Sequence, residues 1–104
     1  MNITQSLLTK VKKSIRISHT ALDEDILDGI RAALSDLRMC GVAEAKLDPA
    51  GEVDPLILNA VKLYCKKEYT DDPAKAARYQ AGYDALKSSL MMADGYRAEV
   101  VADE

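Results

Sequence analysis

The chain has 104 residues, with 14 Lys and Arg against 17 Asp and Glu and a formal charge of −3. One domain is the size this allows, and the charge balance argues against a protein that coats nucleic acid through a basic face. Apolar residues make up 48% and all five aromatics are Tyr, so the core must be built from Leu, Ile, Val, Ala and Met.

The first segment, Met1-Asn2-Ile3-Thr4-Gln5, lacks a basic start followed by an apolar run and does not read as a signal peptide. Leu7, Leu8, Val11 and Ile15 keep helical spacing and predict a first helix from about Thr4, with Thr4 as its N-cap. Arg16-Ile17-Ser18-His19-Thr20 is polar and β-branched and reads as a linker. A second helix is predicted from about Leu22 to Cys40. Its apolar stripe is Ile26, Leu27, Ile30, Ala33, Leu34 and Leu37. Asp23, Glu24 and Asp25 fill its first turn, where negative charge favours the helix dipole, and Gly41 stops it. Gly29 costs this helix about 1 kcal/mol relative to Ala, and close approach of another helix is the simplest reason for it.

Residues 41–54 read as a long acidic loop, broken by Pro49 and Gly51. Loops of this length tend to carry function. Asp54-Pro55 then opens a third helix with a cap and a Pro at its first position. Leu56, Ile57, Ala60, Val61, Tyr64 and Cys65 are expected on its buried face, and Lys62, Lys66 and Lys67 on its outer one. Thr70-Asp71-Asp72-Pro73 ends that helix and caps a fourth, from Pro73 to about Met92. Ala76, Tyr79, Tyr83, Leu86 and Leu90 supply its contacts, and Asp94-Gly95 closes it. The expected architecture is all-α: a small bundle of about four helices over residues 1–95, with a long loop between helices two and three. Residues 96–104 form an extended C-terminal tail.

Charge is segregated along the chain. Residues 1–20 carry +4, residues 21–54 carry −6, residues 55–93 carry +2 and residues 94–104 carry −3. One reading is a set of solvated helix faces. The other is that the basic segment Lys10, Lys12, Lys13 and Arg16 meets the acids Asp23, Glu24 and Asp28, in the same subunit or a neighbour. Alternating patches of this kind suit head-to-tail assembly.

Little in the sequence points to chemistry. His19 is the only imidazole and has no orienting partner in sequence. Asp23, Asp25 and Asp28 read as helix N-terminal charge, without EF-hand or Glu-x-x-His spacing. Cys40 and Cys65 stand apart and read as reduced, small apolar residues. There is no Gly-rich phosphate loop, GxSxG or HExxH. Neither an enzyme, a cofactor nor a metal is expected. The tyrosines Tyr64, Tyr69, Tyr79, Tyr83 and Tyr96 read as core residues with their hydroxyls at the rim. A helix-turn-helix reading meets a connection of about 14 residues where three or four are usual.

Two segments together carry a resemblance. The first is Leu22-Asp23-Glu24-Asp25-Ile26-Leu27-Asp28-Gly29-Ile30-Arg31-Ala32-Ala33-Leu34-Ser35-Asp36-Leu37, closed by Gly41-Val42. The second runs from Asp54-Pro55-Leu56-Ile57-Leu58-Asn59-Ala60-Val61-Lys62-Leu63-Tyr64 through Ala77-Arg78-Tyr79-Gln80-Ala81-Gly82-Tyr83-Asp84-Ala85-Leu86-Lys87 to Leu90 and Tyr96. Their order and spacing resemble the head–tail connector (adaptor) proteins of tailed phages, a family also labelled DNA-packaging proteins. The resemblance covers about residues 4–96; Gly29 stands where the family leads one to expect a larger apolar residue.

The resemblance implies a virion protein at the head–tail interface, present in the bacterial host cytoplasm before assembly. It implies a ring, typically of twelve copies, beneath the portal protein. The ring extends the DNA channel, with packaged DNA as its non-specific contents, and offers a docking surface to the stopper or tail-completion protein. No membrane partner is implied. Within that frame, Tyr96, Arg97, Val100 and Val101 are expected to contact the portal. Lys10, Lys12, Lys13 and Arg16 of one subunit are expected to face Asp23, Glu24 and Asp28 of the next. The loop residues Glu44, Lys46, Asp48 and Glu52 are expected to line the channel or meet the stopper. The alternative class is a small helical DNA-binding or regulatory protein, which a salt-dependent binding assay separates from a connector. A helical partner protein of the antitoxin or chaperone kind is a third.

Overall fold

The computed structural model describes residues 5–43, 47 and 54–93. Four helices make up most of them: α1 (Gln5–Ser14), α2 (Asp23–Met39), α3 (Pro55–Tyr69) and α4 (Pro73–Met92). The all-helical expectation holds, with bounds within about a residue of those read from the periodicity. The expected Thr4 cap, the Asp94-Gly95 stop and the tail lie outside the described residues.

Helix ends follow the local chemistry. The Asp54 carboxylate accepts from the Leu56 amide at 2.9 Å, and Asp72 accepts from the Ala74 amide at 2.9 Å. Each satisfies an amide that the first helical turn leaves without a partner, with Pro55 and Pro73 preset at the start of α3 and α4. At the end of α2, Gly41 (φ +99°) sits in the left-handed region. The Gly41 amide donates to Arg38 O and the Val42 amide to Leu37 O, a Schellman stop with buried Val42 packed beyond it. The same motif ends α1, where the Arg16 amide donates to Lys13 O and the Ile17 amide to Lys12 O. Here the left-handed position belongs to Arg16, at φ +59°, which has a Cβ to accommodate.

α3 is the hub of the bundle and packs against each of the other three helices. It runs antiparallel to α4, since Leu63 faces Gly82 while Lys66 lies over Tyr79. The core takes Leu7, Leu8 and Val11 from α1 and Ile26, Ile30, Ala33, Leu34 and Leu37 from α2. Ile57, Ala60, Val61 and Cys65 come from α3, and Tyr83 and Leu90 from α4. A Cβ on Gly29 would stand 3.6 Å from Cys65 Sγ. The close approach inferred for Gly29 is therefore real, yet an Ala there would make an ordinary contact.

Several burial expectations need correction. Leu56 is 42% exposed rather than buried. It lies in the first turn of α3, at the end of the bundle where Met91 and Met92 are also exposed. Tyr64 is half-buried, and so are Ala76, Tyr79 and Leu86, because α4 buries a narrow stripe against α3. Lys62, Lys66 and Lys67 are half-buried, not an outer row. The loop after α2 is less polar in its role than in its composition: Val42 and Leu47 both enter the core.

Candidate functional site

Of the basic and acidic residues expected to meet, the structure brings one pair together within the chain. Lys12 Nζ lies 2.7 Å from an Asp23 carboxylate oxygen, tying the end of α1 to the start of α2. Asp28 instead pairs with Arg31 on its own helix at 3.2 Å. Lys10, Lys13, Arg16 and Glu24 are exposed. Glu44, Lys46, Asp48, Glu52, Tyr96, Arg97, Val100 and Val101 lie outside the described residues. His19 is exposed in the linker. Cys65 is buried, and desolvation first, then the nearby Glu68 charge, pushes its thiol up to about 12, so it is held as a neutral thiol and a weak nucleophile.

A polar network joins α2 to α4. The Tyr83 hydroxyl donates to Asp36 Oδ2 at 2.6 Å, and Lys87 Nζ donates to the same oxygen at 3.2 Å. The Tyr83 ring meets Tyr64 edge-on, with centroids 5.4 Å apart. Lys67 lies over the Tyr64 ring at 4.6 Å and Lys87 over the Tyr83 ring at 5.3 Å. The Tyr83 hydrogen bond holds the Asp36 carboxyl below the ordinary carboxylate value, with Lys87 adding to the effect against the opposing influence of burial. Burial first, then the Asp36 hydrogen bond and charge, push the Tyr83 hydroxyl up. Of the tyrosines expected in the core, Tyr83 is buried there with its hydroxyl on Asp36, Tyr64, Tyr69 and Tyr79 are half-buried, and Tyr96 lies outside the described residues. Asp36 is the residue that sequence reasoning missed; its partner Tyr83 is 47 positions away.

Two clefts of opposite charge flank the C-terminal end of α3. The first, of about 290 Å³, lies between the end of α1 and the start of α4. Arg16, Lys66 and Lys75 line it beside Tyr69 and Tyr79, and no acid does. The second, of about 380 Å³, lies between α2 and α3 and is lined by Asp25, Asp28 and Glu68 with Tyr64 and Tyr69. Tyr69 borders both, and burial first, then the Asp25 charge, raises its hydroxyl.

Among the described residues no group of three or more His, Cys, Asp or Glu is placed to hold a metal ion. No helix among them is long and apolar enough to cross a membrane. Charge pairs, tyrosine rings and two oppositely charged clefts on an all-helical frame define a small four-helix protein. Residues 7–97 match the family model described as phage connector protein. That stretch is most of the chain, and the chain belongs to the phage connector family, a structural family of the phage head–tail region. No curated protein and no solved structure matched.

Proposed function

We propose that the protein is a head–tail adaptor that forms a ring beneath the portal, extends the DNA channel, and gives the stopper or tail its docking surface after packaging. The observation that carries this reading is the connector-family match across residues 7–97. The structure is in keeping with it: a small helical frame is tied by the Lys12–Asp23 and Lys87–Asp36 pairs and carries two oppositely charged clefts on its surface.

In this reading Tyr96, Arg97, Val100 and Val101 contact the portal, the two valines supplying apolar anchors that order on binding. Glu44, Lys46, Asp48 and Glu52 line the channel or meet the stopper. Lys10, Lys13 and Arg16 of one copy face Glu24 and Asp28 of the next, while Lys12 and Asp23 are already paired within the chain. The test is in vitro complementation: packaged heads from a phage lacking this gene are mixed with the purified chain and free tails. Joining is expected with the intact chain. Deleting residues 96–104 should abolish portal binding with helical circular dichroism unchanged. Heads that stay unjoined with the intact chain would overturn the adaptor reading.

A further inference from the structure

We infer that the basic cleft at Arg16, Lys66 and Lys75 of one copy receives the acidic cleft at Asp25, Asp28 and Glu68 of a second copy, so that copies associate head to tail. The inference rests on the ring reading above and adds to it the surfaces that meet.

The first argument is the state of the charges. Lys12 and Lys87 already have acids, at 2.7 and 3.2 Å. Arg16, Lys66 and Lys75 have no ion-pair partner among the described residues, and neither does Asp25. Asp28 and Glu68 have only local pairs, with Arg31 three residues on and with the adjacent Lys67. Pairs of that exposed, short-range kind contribute little and are easily exchanged for better ones. Among the described residues, the basic cleft therefore has no acid of its own, and the acidic cleft has only these local pairs.

The second argument is direction. Lys66 and Glu68 are two residues apart on α3, about 200° around its axis at 3.6 residues per turn. The basic cleft is lined from α3, the end of α1 and the start of α4, and the acidic one from α2 and α3, with Tyr69 at the edge of both. Two unlike surfaces that meet do not form the isologous contact of a two-fold dimer. They make a heterologous contact, which repeats from copy to copy and closes into a ring when the rotation per step allows. The Tyr69 and Tyr79 rings on one side and the Tyr64 ring on the other give each cleft flat, amphipathic contact area.

The test is a charge swap read by sedimentation velocity, at millimolar concentration and low salt. The wild-type chain should associate, and about 0.5 M salt should weaken that association by about tenfold or more. Lys66→Glu with Lys75→Glu should leave monomers, and so should Asp28→Lys with Glu68→Lys. An equimolar mixture of the two variants should associate again, because each reversed cleft then finds its complement. Circular dichroism checks that both variants keep their helices. Should either not fold, carbodiimide coupling of mixed light and heavy-isotope wild-type chains replaces the swap. It should join Lys66 or Lys75 of one copy to Asp25, Asp28 or Glu68 of another. A wild-type chain that stays monomeric, a mixture that associates no better than its components, or inter-copy couplings confined to other residues would overturn the inference. Joined virions from a phage lacking the gene would defeat the connector reading and leave this self-association standing.

Discussion

Asp36 shows how one carboxylate ties two helices together. It accepts from the Tyr83 hydroxyl and from Lys87, and so anchors α4 to α2 across α3. Tyr83→Phe removes the shorter of these contacts, at 2.6 Å, while keeping the ring against Tyr64. It should destabilise the chain by about 1–2 kcal/mol in urea unfolding, the range for a hydrogen bond to a charged group that retains some solvent. The pH profile follows from the directions of the two shifts. Asp36 lies below its ordinary value of 3.8 in the folded chain, so its contribution is whole above that value and is lost as pH falls through the lowered pKa. Tyr83 lies above its ordinary value of 10.0, so its contribution is whole below pH 10 and is lost as pH rises beyond it. The urea midpoint of the wild type should fall at both extremes, and Tyr83→Phe should flatten both arms. Equal slopes in the two proteins would mean that other groups set the profile.

Arg16 is the other residue whose backbone sets its energetics. Its left-handed φ of +59° ends α1 in the place where Gly41 ends α2. Arg16→Gly should stabilise the fold by about 1 kcal/mol by removing the Cβ clash, measured as a rise in urea midpoint. If the midpoint falls, the Arg16 side chain contributes more to the cleft than its backbone costs.

At the scale of the elements, helix propensity and tertiary packing divide the work. Gly29→Ala should stabilise α2 by about 0.5–1 kcal/mol, because its new methyl meets Cys65 Sγ at 3.6 Å, an ordinary contact. Gly41→Ala should do the reverse by about 1 kcal/mol, since its φ of +99° suits no residue with a Cβ. Thermal melts of the two variants should move in opposite directions. The helices themselves were legible: Asp-Pro pairs mark two starts, and the i, i+3, i+4 stripe of α2 matches its buried residues apart from Leu27, which is half-buried. Depth of burial was less so. Leu56 has the right spacing but lies in the first turn of α3 at an open end of the bundle, where no further layer covers it. The spacing of Tyr79 and Leu86 is as regular as that of Tyr83, yet only Tyr83 faces the narrow line where α4 meets its neighbours. Periodicity gives the face of a helix, not how much chain lies over it.

For the whole molecule, the linear charge plan was a partial guide. One of its two readings had the basic first segment meet acids of the second helix, in the same subunit or a neighbour, and one such pair, Lys12 with Asp23, forms within the chain. The two clefts could not be read that way, because each gathers residues from distant segments. Arg16 lies some fifty positions from Lys66 in sequence, and Asp25 more than forty from Glu68. Their assembly depends on α3 passing between α2 and α4. Membership of the connector family accords with the resemblance in the order and spacing of the helical segments. The adaptor role is tested most directly by electron microscopy of lysate from a phage or prophage lacking this gene. The account predicts packaged or leaking heads lying apart from finished tails, restored to joined particles when the gene is supplied in trans. Normal joined virions in the absence of the gene would contradict it.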